Sequence, residues 1–281
     1  MNCKLIKHQV LFTLRQKNAV FTFYFLMAIV LLNFTSNVFA FQGRDIIEMY
    51  QPLKMLSISF NRIYYNADLT LFLIQLYPVL VVCPAGFILL SEKNRKEDIL
   101  LIARVGTINY YKCKLISSFL VTTIVFTIPF FLELLLSCVS FPMAAIGDFS
   151  EMSQYDPFYM EMVRRYLFSS LYTFNPYLYA IIGIVIFGIF SGILGMFSVA
   201  LSAVLNIRYK IILFLPVFII LNISLYFSDS IINLPFSVRW FDYILLYNDI
   251  AKNNCYFMGL ILALIIISIS CVLFKSKGDQ L

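Results

Sequence analysis

The residues with the richest chemical potential lie in one charged stretch, 92–114, which reads EKNRKEDILLIARVGTINYYKCK. It opens with dense mixed charge, continues with a short amphipathic run over 99–105, breaks at Gly106 and resumes as a basic-aromatic run. A short helix with charge at one end and an apolar face does non-covalent work: it docks in a groove of a partner. A plain basic loop would explain the charges, but not an Ile-Leu-Leu-Ile run at 99–102 placed in water.

Two other features stand out. Glu133 is the single charged residue within the apolar stretches, and a charge near a bilayer centre costs a few kcal/mol, which makes it a functional candidate. It follows Pro129 in the outer half of its stretch, where it can snorkel outward or pair with an outer-loop arginine. That position favours a structural or hydration role over a proton relay. Gly188 and Gly192 form a GxxxG pair that Gly195 and nearby serines extend. Small residues at this period let helix backbones approach closely, here against another helix of the same chain. Enzyme signatures are missing. There is no GxxxxGK[ST] loop, no HExxH and one histidine, His8, in the whole chain, so neither ATP hydrolysis by this chain nor a His-rich metal site is expected. No directly bound cofactor is expected.

These residues are positioned by six apolar stretches, 19–41, 69–90, 115–141, 177–205, 211–227 and 256–274. The first would run about 34 Å as a helix, enough for a hydrocarbon core of about 30 Å. Backbone amides in lipid must be paired within a segment, so each stretch reads as a helix. The fold class is therefore an all-α polytopic membrane protein with six spans. The segments 1–18, 91–114, 206–210 and 275–281 hold 14 of the 21 Lys/Arg. The positive-inside rule then places them, and both termini, in the cytoplasm of a plasma membrane. At 281 residues, 61% hydrophobic and 13% charged, the chain has no room for a separate soluble catalytic domain. Its net charge of +6 faces anionic headgroups, and no nucleic acid is implied.

The flanks have character of their own. Residues 1–18 read as an amphipathic interfacial helix, with Leu5, Ile6, Val10 and Leu14 on one face and Lys4, Lys7, Arg15 and Lys17 elsewhere. A basic start followed by Val38-Phe39-Ala40 imitates a cleaved signal, but the apolar run is long, and the reading is an uncleaved first span. The outer segment 157–174 is expected to form an interfacial helix. The stretch 233–248, with Trp240, Phe241 and Tyr243, reads as a re-entrant or interfacial element before the last span, its aromatics anchoring at headgroup level. The domain plan is one permease-like unit over 19–274, with 92–114 as its cytoplasmic element and 275–281 as a tail. The six cysteines show no CxxC spacing and read as apolar packing.

Taken together, the chain resembles the membrane-spanning permease subunits of type-2 ATP-binding-cassette exporters. The resemblance is carried in order by Glu92, Leu100, Leu101, Arg104, Gly106, Tyr111 and Lys114. It continues through Asn175-Pro176-Tyr177, Phe197-Ser198-Val199-Ala200-Leu201-Ser202, Asn206-Ile207-Arg208-Tyr209 and Pro216. It implies a half-transporter that pairs with an identical or related permease and binds cytosolic ATPase subunits, which use ATP. Glu92, Arg95, Leu100, Leu101, Arg104, Gly106 and Lys114 would be the coupling element, with Glu92, Arg95 and Arg104 setting register by charge. The long outer segment between the third and fourth spans departs from the family pattern and leaves cargo open among peptide antibiotics, drugs and lipid-linked glycans. The residues alone also fit a non-pumping immunity or regulatory protein that binds a peptide or lipid, or a polytopic membrane enzyme.

The charge asymmetry gives a direct test. Reporter fusions at residues 60, 155 and 245 should register outside, and fusions at 100 and 281 inside. An inside signal at 155 would break the six-span topology.

Overall fold

The computed structural model describes residues 3–42, 52–59, 67–141, 163–205, 209–230, 236–248 and 250–278. The described chain is built of helices joined by turns, with one isolated parallel bridge, Ser59 to Leu246, as its β pairing. Helix α1 covers Cys3–Leu14 and α2 covers Lys17–Phe41. Then come α3 (Ala67–Leu80), α4 (Ile88–Arg95), α5 (Glu97–Val105) and α6 (Thr107–Ser140). The chain continues with α7 (Ser169–Phe174), α8 (Pro176–Val204), α9 (Phe214–Ser230), α10 (Trp240–Ile244) and α11 (Asn254–Gly278).

Four helices, α2, α6, α8 and α11, are long and apolar enough to cross a membrane. They correspond to the first, third, fourth and sixth expected spans. The second expected span is divided. Helix α3 contains Pro78 and ends at Leu80, and hydrogen-bonded turns carry the chain past Pro84 to α4. Each proline lacks the amide that a continuous helix would use. The turn residues Val81, Val82 and Ala85 are fully buried, and interrupted backbone at membrane depth is tolerated where protein surrounds it. The fifth expected span is a 3-10 turn, Lys210–Leu213, followed by the 17 residues of α9. That helix is about 26 Å long, short of a full hydrocarbon core. Four of the six expected stretches are thus single helices of spanning length, while the second is an interrupted helix and the fifth a 3-10 turn with a shorter helix.

The central contact is between α6 and α8, and α2, α1 and α11 pack around it. A Cβ added at Gly188 would collide with Thr127, at Gly192 with Thr123 and Phe119, and at Gly195 with Thr122. The small-residue period is therefore used within the chain, as its spacing predicts. Helix α8 starts sharply because Asn175 Oδ1 accepts from the amides of Tyr177 and Leu178 at 2.9 and 3.2 Å, with Pro176 in the first helical position.

Aromatic side chains fill the centre. Tyr77 stacks on Trp240 with centroids 4.6 Å apart and meets Phe126 edge-on at 5.8 Å, while Phe130 meets Phe187 at 5.1 Å. Trp240 is 4% exposed. The expected headgroup anchor is instead a core residue, and α10 is packed into the bundle, with Tyr243 and Ile244 buried as well. Of the expected interfacial helix 157–174, residues 157–162 lie outside the described residues, as do 142–156 before it. The remainder forms α7 and a tyrosine cluster in which Tyr166, Tyr172, Tyr179 and Tyr247 touch pairwise. Residues 206–208 also lie outside the described chain.

The seam makes a sharp prediction. Gly192→Leu forces a side chain into Thr123 and Phe119 and should destabilise by about 1–3 kcal/mol or prevent folding. Gly259 has nothing within 4 Å of an added Cβ, so Gly259→Ala should leave the detergent melting temperature unchanged. Equal behaviour of the two variants in thermal melts would contradict the packing.

Candidate functional site

The stretch 92–114 folds into α4, α5 and the first turns of α6, and its sequence dictates the breaks. Lys96 adopts the left-handed conformation at φ 58° and ends α4, its amide bonding back to the carbonyls of Glu92 and Lys93. Helix α5 then carries Glu97 and Asp98 in its first turn and Arg104 in its last, which matches its dipole. Gly106, at φ 82°, joins α5 to α6. A side chain there would find open space yet be strained by the backbone, so glycine is required by conformation rather than packing.

A buried polar cluster fixes this unit to the bundle. Glu92 and Lys114 are 5% and 3% exposed and form an ion pair through Glu92 Oε1. Tyr110 donates its hydroxyl to Glu92 Oε2 at 2.6 Å. Next to it, Lys93 Nζ donates to the carbonyls of Ser202 and Ala203 at 3.2 and 2.9 Å, complementing the negative end of α8. The α4–α5 unit is thus bolted to the ends of both central helices.

The exposed side is a different surface. No residue of α5 is fully buried; Ile99 and Leu100 are 64% and 67% exposed. Leu101 and Ile102 are partly buried against the core around Ile88, Tyr110 and Val199. Arg95 and Arg104 are exposed, with Arg95 3.8 Å from Glu97. Of the residues expected to meet a partner, Leu100, Arg95 and Arg104 are therefore accessible. Glu92 and Lys114 are not: both turn inward, so Glu92 cannot set register on a partner's surface. Their role is to hold α5 in place.

Glu133 forms a second buried cluster. Its Oε1 accepts from Asn33 Nδ2 at 2.6 Å and from the Ser57 amide at 2.9 Å, and its Oε2 accepts from the Ser57 hydroxyl at 2.6 Å. Asn33 and Asn37 both donate to the carbonyl of Met55, at 2.8 and 3.1 Å. At 1% exposure Glu133 does not snorkel outward, which corrects the expectation from its outer-half position. It holds an inserted segment, 52–59, in which Leu53, Lys54, Leu56, Ser57 and Ile58 are all buried. That segment in turn receives the Leu246 amide on the Ile58 carbonyl at 2.9 Å, which ties it to the stretch after α10. Sequence reasoning read 42–68 as a loop and missed this insertion. Its signal is the apolar-rich run LKMLSISF at 53–60.

A third polar node lies beside α10. Asp242 is fully buried and accepts from Ser237 and from Asn248 Nδ2. Together with the Tyr243 hydroxyl, which donates to the Ser237 carbonyl at 2.7 Å, it organises residues 236–248. Among the described residues no group of three or more His, Cys, Asp or Glu side chains is arranged to hold a metal.

Lys114 and Glu133 both belong to α6, 19 residues or about 28 Å apart along the helix. The two buried charges thus mark levels separated by about the thickness of a hydrocarbon core.

Removing one member of a buried ion pair leaves the other charge unpaired, which costs about 3–5 kcal/mol. Glu92→Leu and Lys114→Met should each lower the melting temperature strongly, and the double variant should recover most of the loss. Single variants as mild as Lys112→Met, at an exposed position, would show that the pair holds nothing. Compared with known proteins, the chain matches no family, no curated protein and no solved structure.

Proposed function

We propose that the chain is the permease subunit of an ATP-binding-cassette exporter, forming a translocation pathway with a second permease and coupling to a separate cytosolic ATPase. The observation that carries this reading is an apolar helix face left in the open on a rigid mount. Ile99 and Leu100 are about two-thirds exposed on a nine-residue helix, yet that helix is anchored by a buried ion pair and by contacts to the carbonyl end of α8. A soluble loop serving only as a topology signal needs neither the apolar face nor the anchor. A coupling element needs both, because a partner's movement passes to the spans only through a stiff connection.

In this reading α3, the turns after it and α4 together make the second crossing, and the 3-10 turn with α9 makes the fifth. Both termini lie in the cytoplasm of the plasma membrane, on the side to which this reading assigns α5. The chemistry of ATP belongs to the partner. This chain contributes states that bind cargo differently on the two sides, as driven transport requires. The sequence resemblance supports the same assignment.

The partner's groove would cover Ile99 and Leu100, with Arg95 and Arg104 at its rim. Replacing both apolar residues by Asp places carboxylates in that interface, at a cost of several kcal/mol and orders of magnitude in affinity. Ile99→Asp/Leu100→Asp should abolish co-purification of the proposed ATPase partner and uncouple its hydrolysis from export. The melting temperature should hold, because neither residue is buried. Normal capture and transport by this variant would overturn the exporter reading.

A further inference from the structure

We propose that the cleft between α1 and α5 is a binding site for one anionic phospholipid. Two adjoining cavities, of about 420 and 350 Å³, lie there and share His8, Gln9 and Leu101 in their walls. The walls are apolar where acyl chains would lie, with Leu5, Phe12, Val105 and Cys113 among their residues. The polar lining is His8, Gln9, Arg104, Glu97, Tyr110 and the Glu92–Lys114 pair.

Three observations select the occupant. The first is Gln9. Its Nε2 is buried and has no acceptor among the described residues, and an unmet buried donor costs about 1–3 kcal/mol. Gln9 lines both cavities, and turning its amide toward them lets an occupant's acceptor meet this donor. The second is charge. Glu92 is neutralised by Lys114, and Glu97 lies near Arg95. Among the described residues Arg104 is thus the lining cation without a carboxylate of its own, and Lys7 on α1, Arg15 just after it and Lys112 on α6 are exposed. A phosphate satisfies both conditions. The third is depth. Helix α1 passes into α2 after Arg15 and Gln16, and α6 begins at Thr107. The cleft thus sits where two long apolar helices enter the membrane. Headgroups reach that level, and basic pockets beside spans select anionic ones. A cytosolic peptide could supply an acidic group, but it would not be delivered to the foot of two spans.

This proposal is independent of the exporter reading, since the test uses the purified chain without an ATPase. Native mass spectrometry in detergent would compare added phosphatidylglycerol with phosphatidylcholine. One phosphatidylglycerol should be retained per chain, with a preference of about tenfold. Gln9→Glu/Arg104→Glu should lose that preference, while Lys210→Glu, at an exposed site away from the cleft, should keep it. A thermal melt of each variant checks that the fold survives; if the double variant unfolds, Arg104→Gln alone should still weaken retention. Equal retention of the two lipids would overturn the proposal. So would unchanged phosphatidylglycerol retention in a folded double variant, and if that variant instead failed to capture an acidic cytosolic protein, the cleft would belong to protein docking.

Discussion

The seam between α6 and α8 is the contact on which the rest depends. Water gives no help in joining apolar helices inside lipid, so association there rests on close packing and a few polar contacts. Gly188, Gly192 and Gly195 let the two backbones approach over the threonines of α6. Once the seam is closed, α6 presents Glu133 and Lys114 at its two levels, and α8 presents Ser191 to Tyr77 and its last carbonyls to Lys93. The broken second segment then has a wall to lean on: Gly86 lies close enough to α8 that a Cβ there would sit 3.0 Å from Ser198 Oγ. Its interrupted backbone is possible because that wall replaces lipid.

What the sequence made legible follows from which signals are one-dimensional. Long apolar runs and the glycine period are properties of single helices, and α2, α6, α8 and α11 stand close to where the runs place them. The helical character of α1 and the Gly106 break were readable for the same reason. The membrane character of the chain rests on these elements. The division of the second span was written in Pro78 and Pro84, but hydropathy over a window passes across both. The shortness of α9 was hidden because apolar composition continues on each side of it.

The candidate site was legible in part. Exposure of Leu100 and Arg104 follows from their place on a charged, amphipathic run, and the structure has them exposed. The inward turn of Glu92 could not be read, because its partner Lys114 is 22 residues away across two helix breaks. The same holds for Glu133, whose donors Asn33 and Ser57 are 100 and 76 residues distant. Polar residues that satisfy one another over such separations look in sequence like unpaired charges, and reasoning from hydropathy sends them to water. Trp240 failed in the opposite sense: an aromatic beside an apolar run suggests an interface, yet Tyr77 stacks on it and it is buried in the bundle.

The spacing of the two charged clusters along α6 has a mechanical meaning. A helix that fixes one polar group at each end of about 28 Å behaves as a gauge for the layer around it. A bilayer of matching thickness leaves both groups near its boundaries. A thicker one must be met by standing α6 more upright or by compressing the lipid beside it, at fractions of a kcal/mol per ångström of mismatch. Because Lys114 at one mark is also the bolt that carries α5, a change of tilt would swing that helix. Membrane thickness would thereby become a mechanical input to α5, the helix whose Ile99 and Leu100 are left exposed.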